Sequence, residues 1–201
     1  MRHNKDLIEI AKFLDAVHAS FAELCDNQSN IVKSYNGLAE LWSDSVYSAT
    51  GEALTETAIT TEKAYLAFTE VCGVLRRQHE ILCAYQEIDE VRHYEELTFV
   101  KNIQWGSQAM NNGRMRVAIA DIEAFERALD VYLDILEEET RKIRDQYRGV
   151  GESWSDDQYE AFGEHVEEFA HRVNEEIKYL DDLAVLLAEK RRFLEEEESL
   201  S

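Results

Sequence analysis

Residues 42–52 read WSDSVYSATGE, and residues 154–164 read WSDDQYEAFGE. Seven of the eleven positions agree: Trp, Ser, Asp, Tyr, Ala, Gly and Glu recur at an offset of 112 in a chain of 201 residues. Each copy places a bulky aromatic and a Ser-Asp pair where a polar cap would start a helix. Read outward from either block, the sequence settles into a three-four apolar rhythm.

Upstream of the first block, Leu7, Ile10, Leu14, Val17, Phe21, Leu24, Gln28, Ile31, Tyr35 and Leu38 alternate three and four residues apart. This seam predicts one helix over about residues 4–40, roughly 55 Å long, that must bury its stripe against another helix. Downstream, Ser43 is the expected N-cap and Asp44 favours the positive end of the helix dipole. A second seam runs through Tyr65, Phe68, Cys72, Leu75, His79 and Leu82, then past Ile88 and Val91 toward Phe99 and Ile103. The glycine-bearing stretch 104–115 breaks it.

A third helix is expected from about Arg114, on Ile119, Ile122, Leu129, Leu133, Leu136, Ile143, Tyr147 and Val150. Two glycines at 149–151 end it. Ser155 with Gln158 resembles a capping box for a fourth helix through Phe162, Val166, Phe169, Val173, Ile177, Leu180, Leu187 and Leu194.

Shifting the second half by 112 superposes Ile10 on Ile122, Phe13 on Phe125, Leu24 on Leu136, Tyr35 on Tyr147, Ala58 on Ala170 and Leu75 on Leu187. Seam matches alone are weak, because the offset is a whole number of heptads. The Trp-Ser-Asp block is not a seam pattern and carries the repeat. The chain is therefore read as all-α: two tandem hairpins, 1–104 and 114–201, joined by a connector at 105–113. They form an elongated four-helix, coiled-coil-like bundle.

The composition agrees. There is no proline and little glycine, and 45% of residues are hydrophobic. The net charge of −21 excludes a nucleic-acid binder, which needs a basic surface. Residues 1–100 carry about −9 and the remainder about −12, so no acidic tail accounts for it. No apolar run is long enough for membrane insertion. The charged, amphipathic N-terminus does not resemble a signal peptide. Cys25, Cys72 and Cys83 form no metal or redox pair and read as buried thiols of a reducing compartment, so a cytoplasmic location is expected.

Catalytic or metal chemistry finds little footing. Glu90-x-x-His93 and Glu168-x-x-His171 match the ferritin-like spacing, but they are not repeat-equivalent. Glu168 and His171 also fall on the outer face of the fourth helix. His79 and Cys83, four apart, could be read as base and nucleophile, but His79 falls on the seam. No phosphate-binding loop or nucleophile elbow is present. No catalytic residue, metal or cofactor is expected.

The Trp blocks remain. Trp42 and Trp154 suit wedges between helices, while Gly51 and Gly163 suit a close crossing. The hairpin tips, with Trp42, Asp44, Tyr47, Trp154, Asp156 and Tyr159, are also the candidate partner-binding residues.

Helix, Trp-turn, helix hairpins of about 100 residues resemble the WXG family of type VII secretion, whose members pair as antiparallel four-helix dimers. The turns here are Trp42-Ser43-Asp44 and Trp154-Ser155-Asp156, where that family has Trp-x-Gly. Tyr85-Gln86-Glu87-Ile88-Asp89 fits the family's Tyr-x-x-x-Asp/Glu export pattern, and the second repeat has no equivalent. The resemblance implies one chain folding as two family members do together. It also implies a non-enzymatic adaptor or chaperone-like partner in a secretion or toxin-delivery system, with export independent of a signal peptide. Another protein is the expected partner, and homo-oligomers are allowed. The alternatives are a ferritin-like metal or redox bundle and a self-assembling coiled-coil protein.

Overall fold

The structure, a computed structural model, describes residues 2–38, 44–86, 94–100, 119–151 and 154–200; the side chains of 2–7, 76, 78–86 and 198 fall outside the description. It is all-α: α1 (Arg2–Leu38), α2 (Ser45–Gln86), α3 (Ile119–Val150) and α4 (Asp157–Ser199), with no strand among the described residues. No described helix is long and apolar enough to cross a membrane.

The two helices of each hairpin run antiparallel. Phe21 of α1 packs on Phe68 of α2, and Arg191 of α4 reaches Glu126 of α3 at 2.9 Å. The hairpins then pair head to tail. Tyr35, near the end of α1, meets Phe125, near the start of α3, and Phe13, near the start of α1, meets Trp154 and Phe162 at the start of α4. Lys190, near the end of α4, forms an ion pair with Asp44 at the start of α2. Each hairpin tip therefore sits at the open end of the other hairpin.

The order around the bundle is α1, α3, α4, α2. α1 packs along α3 and α2 along α4, while α1 and α2 touch each other far less than α3 and α4 do. Repeat-equivalent positions are buried in both halves: Val17 and Leu129, Leu24 and Leu136, Ile31 and Ile143, Leu54 and Val166, Phe68 and Leu180, Leu75 and Leu187. Each helix touches two neighbours, so its buried stripe is wider than a two-residue seam. On α1, Ser20, Cys25, Asn27 and Val32 are buried besides the seam itself.

Polar residues occupy the middle of the bundle. The Asn27 amide donates to the Tyr132 carbonyl at 3.2 Å, joining α1 to α3. The Thr60 hydroxyl donates to Glu176 Oε1 at 2.6 Å, joining α2 to α4. Partnered polar groups at the core suppress alternative registers, because a slip would strand them without hydrogen bonds.

Two expectations need correction. α2 does not run on to Ile103: it is described to Gln86, and residues 94–100 are not helical. Thr98, Phe99 and Val100 are β-branched or aromatic and are poor helix formers. Side chains of α1 and α2 also take main-chain groups that a helix would use for itself. Residues 94–100 are thus a non-helical segment rather than part of the second helix. The N-caps are Asp44 and Asp156 rather than the preceding serines. Asp44 Oδ1 accepts from the N–H groups of Val46 and Tyr47, and Asp156 Oδ1 from those of Gln158 and Tyr159, all at 3.0 Å. In α3 the described helix begins at Ile119, and the expected start near Arg114 lies outside the described residues.

Candidate functional site

The hairpin tips come first. Asp156 does two things: its Oδ1 caps α4, and it accepts the Trp154 indole N–H at 2.7 Å. That bond turns Trp154 inward, where it is 5% exposed and packs on Phe13 of the other hairpin and edge-on to Tyr159. Trp42 lies outside the described residues.

The block tyrosines have partners that the motif itself does not contain. Tyr47 stacks on Tyr35 at 4.2 Å with an interplanar angle of 9°, and Tyr159 stacks on Tyr147 at 4.4 Å and 16°. Within the first pair the Tyr35 hydroxyl donates to the Tyr47 carbonyl at 3.0 Å, and the Tyr47 hydroxyl to the Tyr35 carbonyl at 3.4 Å. The Tyr159 hydroxyl likewise donates to the Tyr147 carbonyl. Burial pushes the Tyr35 and Tyr47 phenols above the ordinary tyrosine range, and burial pushes Tyr147 up to about 12.

Gly163 makes room for the second pair, since a Cβ there would overlap the Tyr147 hydroxyl. Gly151 does the same for Tyr159, whose hydroxyl would lie 2.6 Å from a Cβ. Of the six tip residues, then, Tyr47 and Trp154 are buried, Tyr159 is half-buried, and Asp44 and Asp156 are engaged in caps. In this conformation the tips are clamps that lock each hairpin shut.

A second arrangement was not visible in the sequence. Residues 94–100, YEELTFV, run extended over the groove between α1 and α2. The Tyr94 hydroxyl donates to Asp15 at 2.9 Å, and its ring stacks on His18 at 4.8 Å. The Glu95 carbonyl accepts from His18 Nε2 at 3.1 Å and from the Tyr65 hydroxyl at 3.2 Å. The Tyr65 oxygen in turn accepts from the Leu97 N–H at 3.1 Å. The Cys25 thiol donates to the Thr98 carbonyl at 3.2 Å, and Gln28 Oε1 accepts from the Val100 N–H at 3.2 Å. Phe99 is buried against Tyr65.

Along α1 the partners advance from Asp15 to Gln28, a rise of about 20 Å. Six extended residues cover about the same distance. Strap and helix therefore run side by side in register. Gln28 is explained by this contact. Among the described residues no strap reaches its repeat counterpart Thr140, whose buried hydroxyl has no partner there. The available sequence signal was the run Leu97-Thr98-Phe99-Val100, whose β-branched and aromatic character argues against continuing helix.

A shallow groove of about 680 Å³ lies between α2 and α4, lined by Glu52, Glu56, Glu168, Arg172, Glu176 and Tyr179 among others. Burial raises the Glu176 carboxyl above the usual glutamate range. Glu168 and His171 point outward as expected, pairing with Arg172 and Glu175 on their own helix. No group of three or more metal-binding side chains occurs among the described residues. Glu90 and His93, and the side chains of His79, Cys83 and Tyr85, lie outside them. Cys25 and Cys72 are both buried.

No protein-family model, curated protein or solved structure matches this chain.

Proposed function

We propose that this chain is a non-enzymatic protein-binding module, a single-chain counterpart of a WXG-type hairpin dimer. On this reading it is an adaptor or chaperone-like partner in a secretion or toxin-delivery system. The observation that carries the reading is the head-to-tail pairing of two repeat-related hairpins. α1 finds its main neighbour in α3 and α2 in α4, as two separate hairpins would in a dimer. Affinity purification from the native host, read by mass spectrometry, tests it. A stoichiometric foreign protein is expected, and a clean monomer that retains nothing overturns it.

The self-assembling reading has one observation on its side. Tyr179, Leu186 and Phe193 recur every seven residues on α4 and are 45–59% exposed. Sedimentation over a concentration series separates the two readings: assembly without a foreign protein favours self-association.

A further inference from the structure

The two hairpins are repeats, but their helix pairs close differently. α3 and α4 pack directly on each other, while α1 and α2 stand apart and hold residues 94–100 between them. Among the described residues the second hairpin has no such filler, and α3 and α4 meet directly. The first hairpin has therefore been opened into a groove fitted to an extended chain.

The way the groove grips its occupant matters. Five bonds go to main-chain groups of the strap: two to the Glu95 carbonyl and one each to the Leu97 N–H, the Thr98 carbonyl and the Val100 N–H. Main-chain bonds hold any extended peptide alike, and side-chain pockets supply selection. Two pockets are used, one where Tyr94 stacks on His18 and one where Phe99 is buried on Tyr65. Side chains of α1 and α2 reading the backbone at one edge of the bundle make a peptide site rather than a repeat-encoded core.

The resident strap adds like charge to an acidic molecule. Glu95, Glu96 and Thr98 are exposed, and the two carboxylates add to a chain of net charge −21. Like charge on a strongly acidic molecule weakens its hold, and a neutral or basic segment would be favoured at those positions. Phe99 is buried in the core, and Tyr94, Leu97 and Val100 pack part-buried against it, so a departing strap leaves an apolar cleft that an incoming segment with matching aromatic residues would refill.

We propose that the α1–α2 groove is a docking site for an extended segment of a partner protein. That segment carries two aromatic residues five positions apart with neutral or basic residues between them, and residues 94–100 are the exchangeable occupant. This rests on the reading of the chain as a protein-binding module and gives that module an address.

The test uses the full chain with Tyr94→Ser and Phe99→Ser together, which loosens the strap and leaves Asp15, His18, Cys25, Gln28 and Tyr65 intact. The probes are capped peptides Tyr-Glu-Glu-Leu-Thr-Phe-Val and Tyr-Lys-Lys-Leu-Thr-Phe-Val and a scrambled control. The variant should bind both ordered peptides saturably, the lysine form at least about tenfold tighter at low salt, and wild type should bind them at least about tenfold more weakly. Alkylation of Cys25, buried under Thr98 in wild type, should accelerate in the variant and slow again when peptide is added. A folded variant that binds neither peptide, or whose Cys25 gains no protection from them, overturns the proposal. So does a wild-type dimer that exchanges residues 94–100 between copies.

If the variant does not fold, hydrogen exchange on wild type decides. The Leu97 and Val100 amides should exchange at least about tenfold faster than those of the α1 and α2 cores, through a local opening. Exchange at the same rate as the helices overturns the proposal. A host protein retained in purification while the peptides fail would sink the groove alone; nothing retained in either experiment would sink the module reading as well.

Discussion

Tyr35 and Tyr47 lie face to face at 4.2 Å, each hydroxyl on the other's carbonyl, and an offset of 112 residues reproduces the stack in Tyr147 and Tyr159, with the Tyr159 hydroxyl on the Tyr147 carbonyl. The repeated Trp-Ser-Asp block is thus half of a device. The other half is a tyrosine twelve residues upstream on the preceding helix. The pair ties the two arms of a hairpin together next to its turn.

Removing the stack should open the tip. Tyr47→Ala is expected to cost about 3–5 kcal/mol, the range for large buried side chains cut to alanine. Tyr35→Phe keeps the ring and loses one donor, for about 1 kcal/mol. Tyr159→Ala should cost less than Tyr47→Ala, because Tyr159 is only half-buried. Urea unfolding of the three variants checks the order.

The same pair predicts alkaline behaviour. A phenol raised by burial favours the neutral form in the folded state. Its stabilising contribution is complete below the unfolded value of 10.0 and is lost as pH climbs; for Tyr147 the loss runs from 10.0 to about 12. The Tyr35 and Tyr47 phenols shift the same way. Phenolate absorbance followed beside circular dichroism should show these tyrosines ionising only as helicity falls. Ionisation with the helices intact would contradict the clamp.

Two glycine substitutions should move stability in opposite directions. Gly163→Ala puts a methyl into the Tyr147 hydroxyl and should cost about 1–3 kcal/mol. Gly73→Ala meets nothing within 4 Å in the interior of α2 and should gain about 0.5–1 kcal/mol from helix propensity. Thermal melts of both variants measure the contrast.

Asp156 caps a helix and holds an indole, so Asp156→Ala should cost more than a cap alone, which is about 1 kcal/mol. Asp156→Asn retains acceptor oxygen and should recover most of the loss. If the serines were the caps, Ser155→Ala would be the damaging change; it is expected to be nearly silent in denaturant midpoint.

Glu176 predicts an acid-side effect. Its carboxyl is raised from 4.5, first by burial, so the folded state favours the protonated form. That preference contributes stability well below 4.5 and is lost as pH rises through the raised value. Glu176→Gln should therefore melt about 2–4 °C above wild type near neutral pH, the shift expected for roughly 1 kcal/mol in a chain of this size. The two proteins should converge well below pH 4.5. Equal melting at both pH values would place the carboxylate in a solvated site.

Much of the bundle was legible because heptad seams report burial directly. Val17, Leu24, Ile31, Phe162, Val166 and Val173 all went where their spacing put them. The tip residues were legible as a repeat but not as a mechanism. Nothing in the block shows that Tyr47 faces Tyr35 or that Asp156, rather than Ser155, accepts the helix N–H groups. Stacking and capping depend on the angle at which the second helix leaves the turn. The strap was misread for a related reason. Ile88, Val91 and Phe99 continue an apolar rhythm, and periodicity alone does not tell a helical stripe from an extended segment with alternate burial.

The sequence by itself determined the all-α class, the four seams, the repeat at 112 and the outward placing of Glu168 and His171. Local propensity and periodic burial are written residue by residue. Only the tertiary structure decided that the hairpins pair head to tail, that two tyrosine stacks lock the tips, and that one hairpin closes on itself while the other opens around residues 94–100. Those outcomes turn on which main-chain donors and acceptors find partners far away in the chain. His18, Cys25, Gln28 and Tyr65 acquire that role only once α1 and α2 are set side by side.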